Sequence, residues 1–211
     1  MPSRAGSVTS SIRTRRQPSR GTAGFDFTLH IHDVCADMVS RLPELSHIDI
    51  ERVAISFSQA RKRVAHGLYA TTTPMRFEDG ALIGVRRSRK YSVQRLFDDQ
   101  QREMLYIVSF YLPRFMDVCF KEKLITIIHE LWHISPDFNG DLRRHSGRCY
   151  VHTRSQKEYD AQMAQFADRW LDSNPSPKRF EFLHLSFDEL TSKHGKVYGI
   201  KIPHPKLLPV E

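Results

Sequence analysis

The chain reads as a single α+β domain, and three observations lead there. Apolar residues recur at helical spacing in several separate stretches, whereas other stretches alternate or run apolar for only seven to ten residues, as strands do. The presumed strands cluster before the helix at 121–133 and do not alternate regularly with helices, so a small, mostly antiparallel sheet packed with helices is expected in place of a parallel βαβ array. At 211 residues the chain is long enough to bury a core as one domain.

The opening stretch, 1–24, is rich in Ser, Arg, Gly and Thr and poor in large apolar side chains. It cannot bury enough surface to fold and is read as a disordered basic extension. It lacks the apolar core of a secretory signal and the apolar stripe of a transit peptide. The folded domain is placed at 25–202. Phe27, Ile31, Val34, Met38 and Leu42 recur at helical spacing and stop at Pro43, giving a first amphipathic helix. His30 and His32 lie on it and read as solvated or capping side chains.

Residues 52–58 alternate Val53, Ile55 and Phe57 with small residues, the pattern of a half-buried strand. Residues 68–77 are β-branched and aromatic and form a second strand, with Pro74 marking an edge. Glu78-Asp79-Gly80 is a turn, and 81–96 is read as a strand and a short connection. Two basic clusters, Arg61-Lys62-Arg63 and Arg86, Arg87, Arg89 and Lys90 beside Tyr91, read as solvated loops, the second being the better nucleic-acid patch. Residues 104–112 form a nearly continuous apolar run, hence a buried strand.

Downstream, Tyr159, Met163, Phe166 and Trp170 mark an amphipathic helix closed by Asn174-Pro175. A strand at 180–185, a short helix at 186–194 capped by Gly195, and a last strand at 197–202 follow, before an extended C-terminal tail at 203–211.

The chemistry gathers in one helix. Leu124, Ile127, Ile128 and Leu131 form its buried stripe, and His129, Glu130 and His133 stand in the pattern H-E-x-x-H. Residues four apart share a helix face, so the two imidazoles can point at one ion while Glu130 stands beside them. The helix stops at Ser135-Pro136, and the turn Asp137-Phe138-Asn139-Gly140 follows, which separates this arrangement from a core helix carrying two satisfied histidines. A catalytic zinc takes three protein ligands and keeps one position for water. His145, twelve positions past His133, is the candidate third ligand, and His152, with Cys149 close by, is its competitor; spacing alone leaves both open.

The run LYIVSFYLPRF followed by KLITIIHELWHISPDFNGDLRRHSGRCY resembles the phage-type and SprT-like metallopeptidases, minimal zincins in which H-E-x-x-H precedes a short loop and a third His ahead of a small residue. The resemblance covers residues 105–152. It implies a zincin-like fold, His129, His133 and His145 as zinc ligands, Glu130 as the general base, Zn2+ as cofactor, and a protein or peptide substrate. Here Ser146 stands between His145 and Gly147, where many relatives have Gly directly. Tyr150 and His152 are the nearby candidates for stabilising an oxyanion. The rival expectation is a non-enzymatic protein with a structural zinc, or a DNA-associated adaptor.

The net charge is +8, of which Arg4, Arg13, Arg15, Arg16 and Arg20 supply five before the first acid. The basicity therefore belongs mainly to the tail, which supports weak, salt-sensitive attraction to nucleic acid. No apolar run approaches the ~20 residues of a membrane helix, so no membrane partner is expected. Cys35, Cys119 and Cys149 are an odd set without C-x-x-C spacing, which suits packed, reduced thiols in the cytoplasm.

Overall fold

The computed structural model describes residues 9–11, 24–59, 67–144 and 156–210. In chain order the elements are β1 (Thr9–Ser11), β2 (Phe25–Asp26), α1 (Phe27–Arg41), β3 (Val53–Gln59), β4 (Ala70–Pro74), β5 (Ile83–Arg86), β6 (Arg89–Val93), β7 (Arg95–Phe97), β8 (Tyr106–Leu112), α2 (Arg114–Asp117), α3 (Phe120–Trp132), α4 (Gln156–Asp172), α5 (Pro177–Phe180), α6 (Phe187–His194), β9 (Val197–Tyr198) and β10 (Leu207–Pro209). The class is α+β, as expected.

The central sheet has the order β3-β8-β4, with β8 in the middle. β8 runs parallel to β3 and antiparallel to β4. The expectation of a mostly antiparallel sheet is therefore corrected: a parallel pair needs a long crossover, and the segment between β3 and β8 supplies it, with β4 to β7 lying along the way. β3 was expected to be half-buried, yet Val53, Ala54, Ile55 and Ser56 are all buried. Each face of the sheet is covered. Val53, Ile55, Tyr106, Val108 and Phe110 join the main core with α1, α3 and α4, while Ala54 and Ile107 pack with Met75, Leu96, Met104 and Ile202 on the other side.

The helices form for local reasons that the sequence carries. Asp26 accepts the Leu29 N–H at the start of α1. Ser186 and Glu189 form a capping box on α6, and Gly195, at φ +79°, ends it. Met163, Phe166 and Trp170 of α4 face the core, and the Trp170 indole N–H donates to Asp37 of α1 at 3.0 Å. The buried Lys123 donates to the carbonyls of Leu183 (2.9 Å) and Leu185 (2.7 Å), tying α3 to the segment behind it.

Several expectations are corrected. Residues 180–185 are not a strand: Pro177, following Ser176, opens the short helix α5, and a 3₁₀ turn, Glu181–His184, continues it. The last strand is limited to Val197–Tyr198, which pairs in parallel with β2. The tail does not stay apart, because β10 pairs antiparallel with β6. Thr9–Ser11, inside the stretch expected to lack structure, pairs in parallel with β7, a backbone interaction that requires no apolar side chain. The rest of 1–23 and the Arg61-Lys62-Arg63 cluster lie outside the described residues. Cys35 is packed, and burial pushes its thiol up to about 12, but Cys119 is exposed, contrary to expectation. No helix among the described residues is long and apolar enough to cross a membrane.

Candidate functional site

The site is built from the last two turns of α3, the edge of β4, and the loop that follows the helix. Leu124, Ile127, Ile128 and Leu131 are fully buried and fix the rotation of α3 against α4 and β4. That rotation leaves His129 and His133 half-buried side by side, their ring centroids 4.6 Å apart and nearly perpendicular. His133 ends the helix, its N–H bonded to the His129 carbonyl at 3.2 Å. Two imidazoles one turn apart and partly open are a fitting pair of zinc donors.

Glu130 points elsewhere, into the seam between α3 and β4. Only 6% of it is exposed. The Thr72 hydroxyl lies 2.8 Å from both its carbonyl oxygen and its carboxyl Oε2. That hydroxyl donates one proton and shares it between these two acceptors. Burial pushes the Glu130 carboxyl up to about 7, against the opposing hydrogen bonds from the Thr72 side chain and backbone. A carboxyl poised there exchanges protons readily at neutral pH.

Thr72 itself sits on an open edge. Tyr111 donates to the Tyr69 carbonyl and Met75 to the Leu105 carbonyl, so with this register the backbone groups of Ala70 and Thr72 face away from β8. The carboxyl of Glu130 thus lies beside the unpaired side of β4. Nothing local to either residue signals this contact, which joins positions 58 apart.

The loop after α3 is firmly held. Ile134 and Leu142 form an antiparallel bridge, and the Arg143 N–H returns to the His133 carbonyl at 2.7 Å. Tyr106 of β8 supports the turn from below, donating its hydroxyl to the Asp141 carbonyl (2.8 Å) and accepting the Gly140 N–H (3.0 Å). Gly140 is at φ +89°, and a Cβ there would meet the Arg76 side chain at 2.5 Å, so the position requires glycine. The Arg143 guanidinium lies 3.9 Å over the Trp132 ring and donates to the Trp132 carbonyl at 2.7 Å, placing a cation at the negative end of the helix. The turn thus brings the chain back to the last residue of the motif by position 143.

The expected third ligand, His145, and its competitor His152 lie outside the described residues, as do Cys149 and Tyr150. Among the described residues no group of three or more His, Cys, Asp or Glu side chains could hold a metal ion; of the expected ligands the structure brings His129 and His133 side by side. His30, expected to be solvated or capping, is half-buried at the start of α1, its Nδ1 2.7 Å from the Asp26 carbonyl and its ring stacked on Phe25. Thr72, Arg143 and Tyr106 escaped the sequence reading. Compared with known proteins, the chain finds no match among family models, curated proteins or solved structures.

Proposed function

We propose that the chain is a zincin-like, zinc-dependent metallopeptidase, with His129, His133 and His145 as ligands and Glu130 as the general base. The observation that carries this reading is the half-buried His129–His133 pair, side by side one helix turn apart, on the same helix as a Glu130 that is buried against the open edge of β4 with no cationic partner among the described residues. The return of the chain to the His133 carbonyl at Arg143, two positions before His145, supports His145 over the more distant His152. When bound, zinc supplies Lewis acidity toward a carbonyl oxygen and makes water more acidic. Glu130 takes the proton of the attacking water and delivers it to the leaving amine, helped by a resting affinity near neutrality. An extended substrate pairs its backbone with Ala70 and with the Thr72 carbonyl, the Thr72 N–H being taken by Glu130, which lays the scissile bond beside Glu130 without a deep side-chain pocket.

The test is hydrolysis of an unfolded protein by the zinc-loaded chain, with Glu130→Gln as the comparison. The variant is expected to keep about one zinc per chain and to lose hydrolysis by roughly 10²–10⁴-fold. His145→Ala should release zinc as His133→Ala does, and His152→Ala should not. Absence of hydrolysis by the wild type across several substrates, with zinc bound, sinks the enzymatic reading.

A further inference from the structure

A second surface stands apart from the motif helix: the hairpin β5–β6. Every residue from 81 to 90 except Gly84 is exposed. Leu82, Ile83 and Val85 are 58%, 48% and 69% exposed, and they are three of the five large apolar side chains left open among the described residues. Arg86, Arg87, Arg89 and Lys90 surround the tip, and no ion pair with another described residue engages them. Clustered open apolar side chains on a structured element mark an interaction surface, whereas scattered ones do not.

The faces can be told apart. Residues opposite each other across the ladder share a face, so Ile83, Val85, Lys90 and Ser92 point one way and Gly84, Tyr91, Arg86 and Arg89 the other. A Cβ on Gly84 would meet the Phe77 ring at 2.2 Å, so Phe77 covers the second face and Tyr91 is half-buried there. The first face, with Ile83, Val85 and Lys90, is the outer one.

The backbone edge can be told apart too. Gln94 donates to Lys206 and Val210 donates to Lys90, so the even-numbered positions of β6 turn toward β10. Tyr91 and Arg89 therefore turn toward β5 and pair with Gly84 and Arg86, which leaves the N–H and C=O groups of Ile83 and Val85 directed at the open side of the sheet. Among the described residues β5 is an edge strand whose Ile83 and Val85 have no backbone partner, flanked by apolar side chains and four cations.

We propose that β5 is a docking strand for an extended acidic polypeptide segment, which adds to the sheet as a fourth strand. Its backbone would meet Ile83 and Val85, its apolar side chains would cover the outer face, and its carboxylates would meet the cations of the tip. The other occupants each leave part of the surface unmet. A lipid surface would cover Ile83 and Val85 but carry their unpaired backbone groups into hydrocarbon. A nucleic acid would meet the cations but leave the apolar residues open, and the one aromatic ring of β6 is turned inward. A second copy pairing through the same strand would bring two sets of four cations together. This docking does not depend on metal binding by the motif.

The experiment uses the full chain and a fluorescein-labelled eight-residue peptide alternating glutamate and valine, read by anisotropy. A dT20 oligonucleotide, phosphatidylserine vesicles and sedimentation of the chain alone are run beside it. The peptide should bind the wild type. Val85→Pro, which removes one outward N–H, and the double variant Arg86→Glu with Lys90→Glu should each weaken it by about tenfold or more. The charge reversal lies wholly on the surface, so it decides the matter if the proline variant melts early. The proposal is overturned if the wild type does not bind the peptide, if binding survives both variants, if the oligonucleotide or the vesicles bind more tightly through the same residues, or if the chain alone dimerises through β5.

Discussion

Two glutamates beside the central sheet, the half-buried Glu103 and the buried Glu130, behave in opposite ways. Glu103, just ahead of β8, is held by Arg76 and by Arg95, whose Nε lies 2.6 Å from its carboxyl. Burial alone would raise its affinity for a proton, but the two guanidinium groups win and pull it down to about 2. Glu130, one sheet edge away, has a hydroxyl and a backbone N–H for company, and burial wins, taking it up to about 7. The same side chain is made a fixed anion where it is half-buried between two arginines and a proton carrier where it is buried without one. Arginine also satisfies Asp98, through Arg102, and Asp141, through Arg144. Among the described residues two buried acids lack a guanidinium partner: Asp26, which caps α1 through the Thr28 hydroxyl and the Leu29 N–H, and Glu130, for which a chemical role fits better than a structural one.

The largest way to break this contrast is to remove the fixed anion. Glu103→Gln strands the Arg76 guanidinium, only 9% exposed, without its counter-charge. A loss of about 3 kcal/mol at pH 7 is expected in urea unfolding. The sign with pH follows from the depressed affinity: the native form of Glu103 binds its proton less tightly than the unfolded form, so its contribution is present above about 4.5 and is lost as pH falls toward about 2. Wild type and variant should therefore converge in acid. A constant gap down to pH 2 would mean that the ion pairs contribute little.

Glu130→Gln should do the reverse, by a smaller amount. Its carboxyl binds a proton more tightly in the fold, so its stabilisation is present below about 4.5 and is lost as pH rises through about 7. In metal-free protein the variant should be more stable than wild type at pH 8, by on the order of 2 kcal/mol, and equal to it near pH 4. Equal stability of the two at pH 8 would place the carboxyl in a wetter setting than the seam between α3 and β4.

How much of this was readable beforehand follows physical range. The helices α1, α3, α4 and α6 and the strand β8 follow from apolar spacing and caps, which act within a few residues. The hairpin at Arg87-Ser88 carries no local signal beyond a strand and a connection, because its turn places both residues at positive φ without the Asn or Gly that usually announces one. The run Phe180 to Leu185 alternates like a strand, yet Pro177 and the carbonyl contacts to Lys123 make it helical. The motif residues were legible because helical spacing alone puts His129 beside His133. Their surroundings were not: Thr72 reaches Glu130, and Arg76 and Arg95 reach Glu103, only once the sheet has brought distant segments together.

The smallest expected effect sharpens the contrast most. Thr72→Val keeps the size and branching of the side chain, and therefore the packing of β4, but deletes the hydroxyl 2.8 Å from Oε2. That hydroxyl favours the charged carboxyl, so without it the proton is held more tightly and the acid limb of the pH–rate profile should move upward. Stability should fall by about 1 kcal/mol at pH 8, where the carboxylate loses a donor, and by less near pH 4, where the neutral acid loses only an acceptor. Because the Thr72 backbone N–H remains, the shift should be smaller than any that removes the edge strand. An acid limb that stays in place while stability falls would show that Thr72 holds the strand but that the titrating group in hydrolysis is not Glu130.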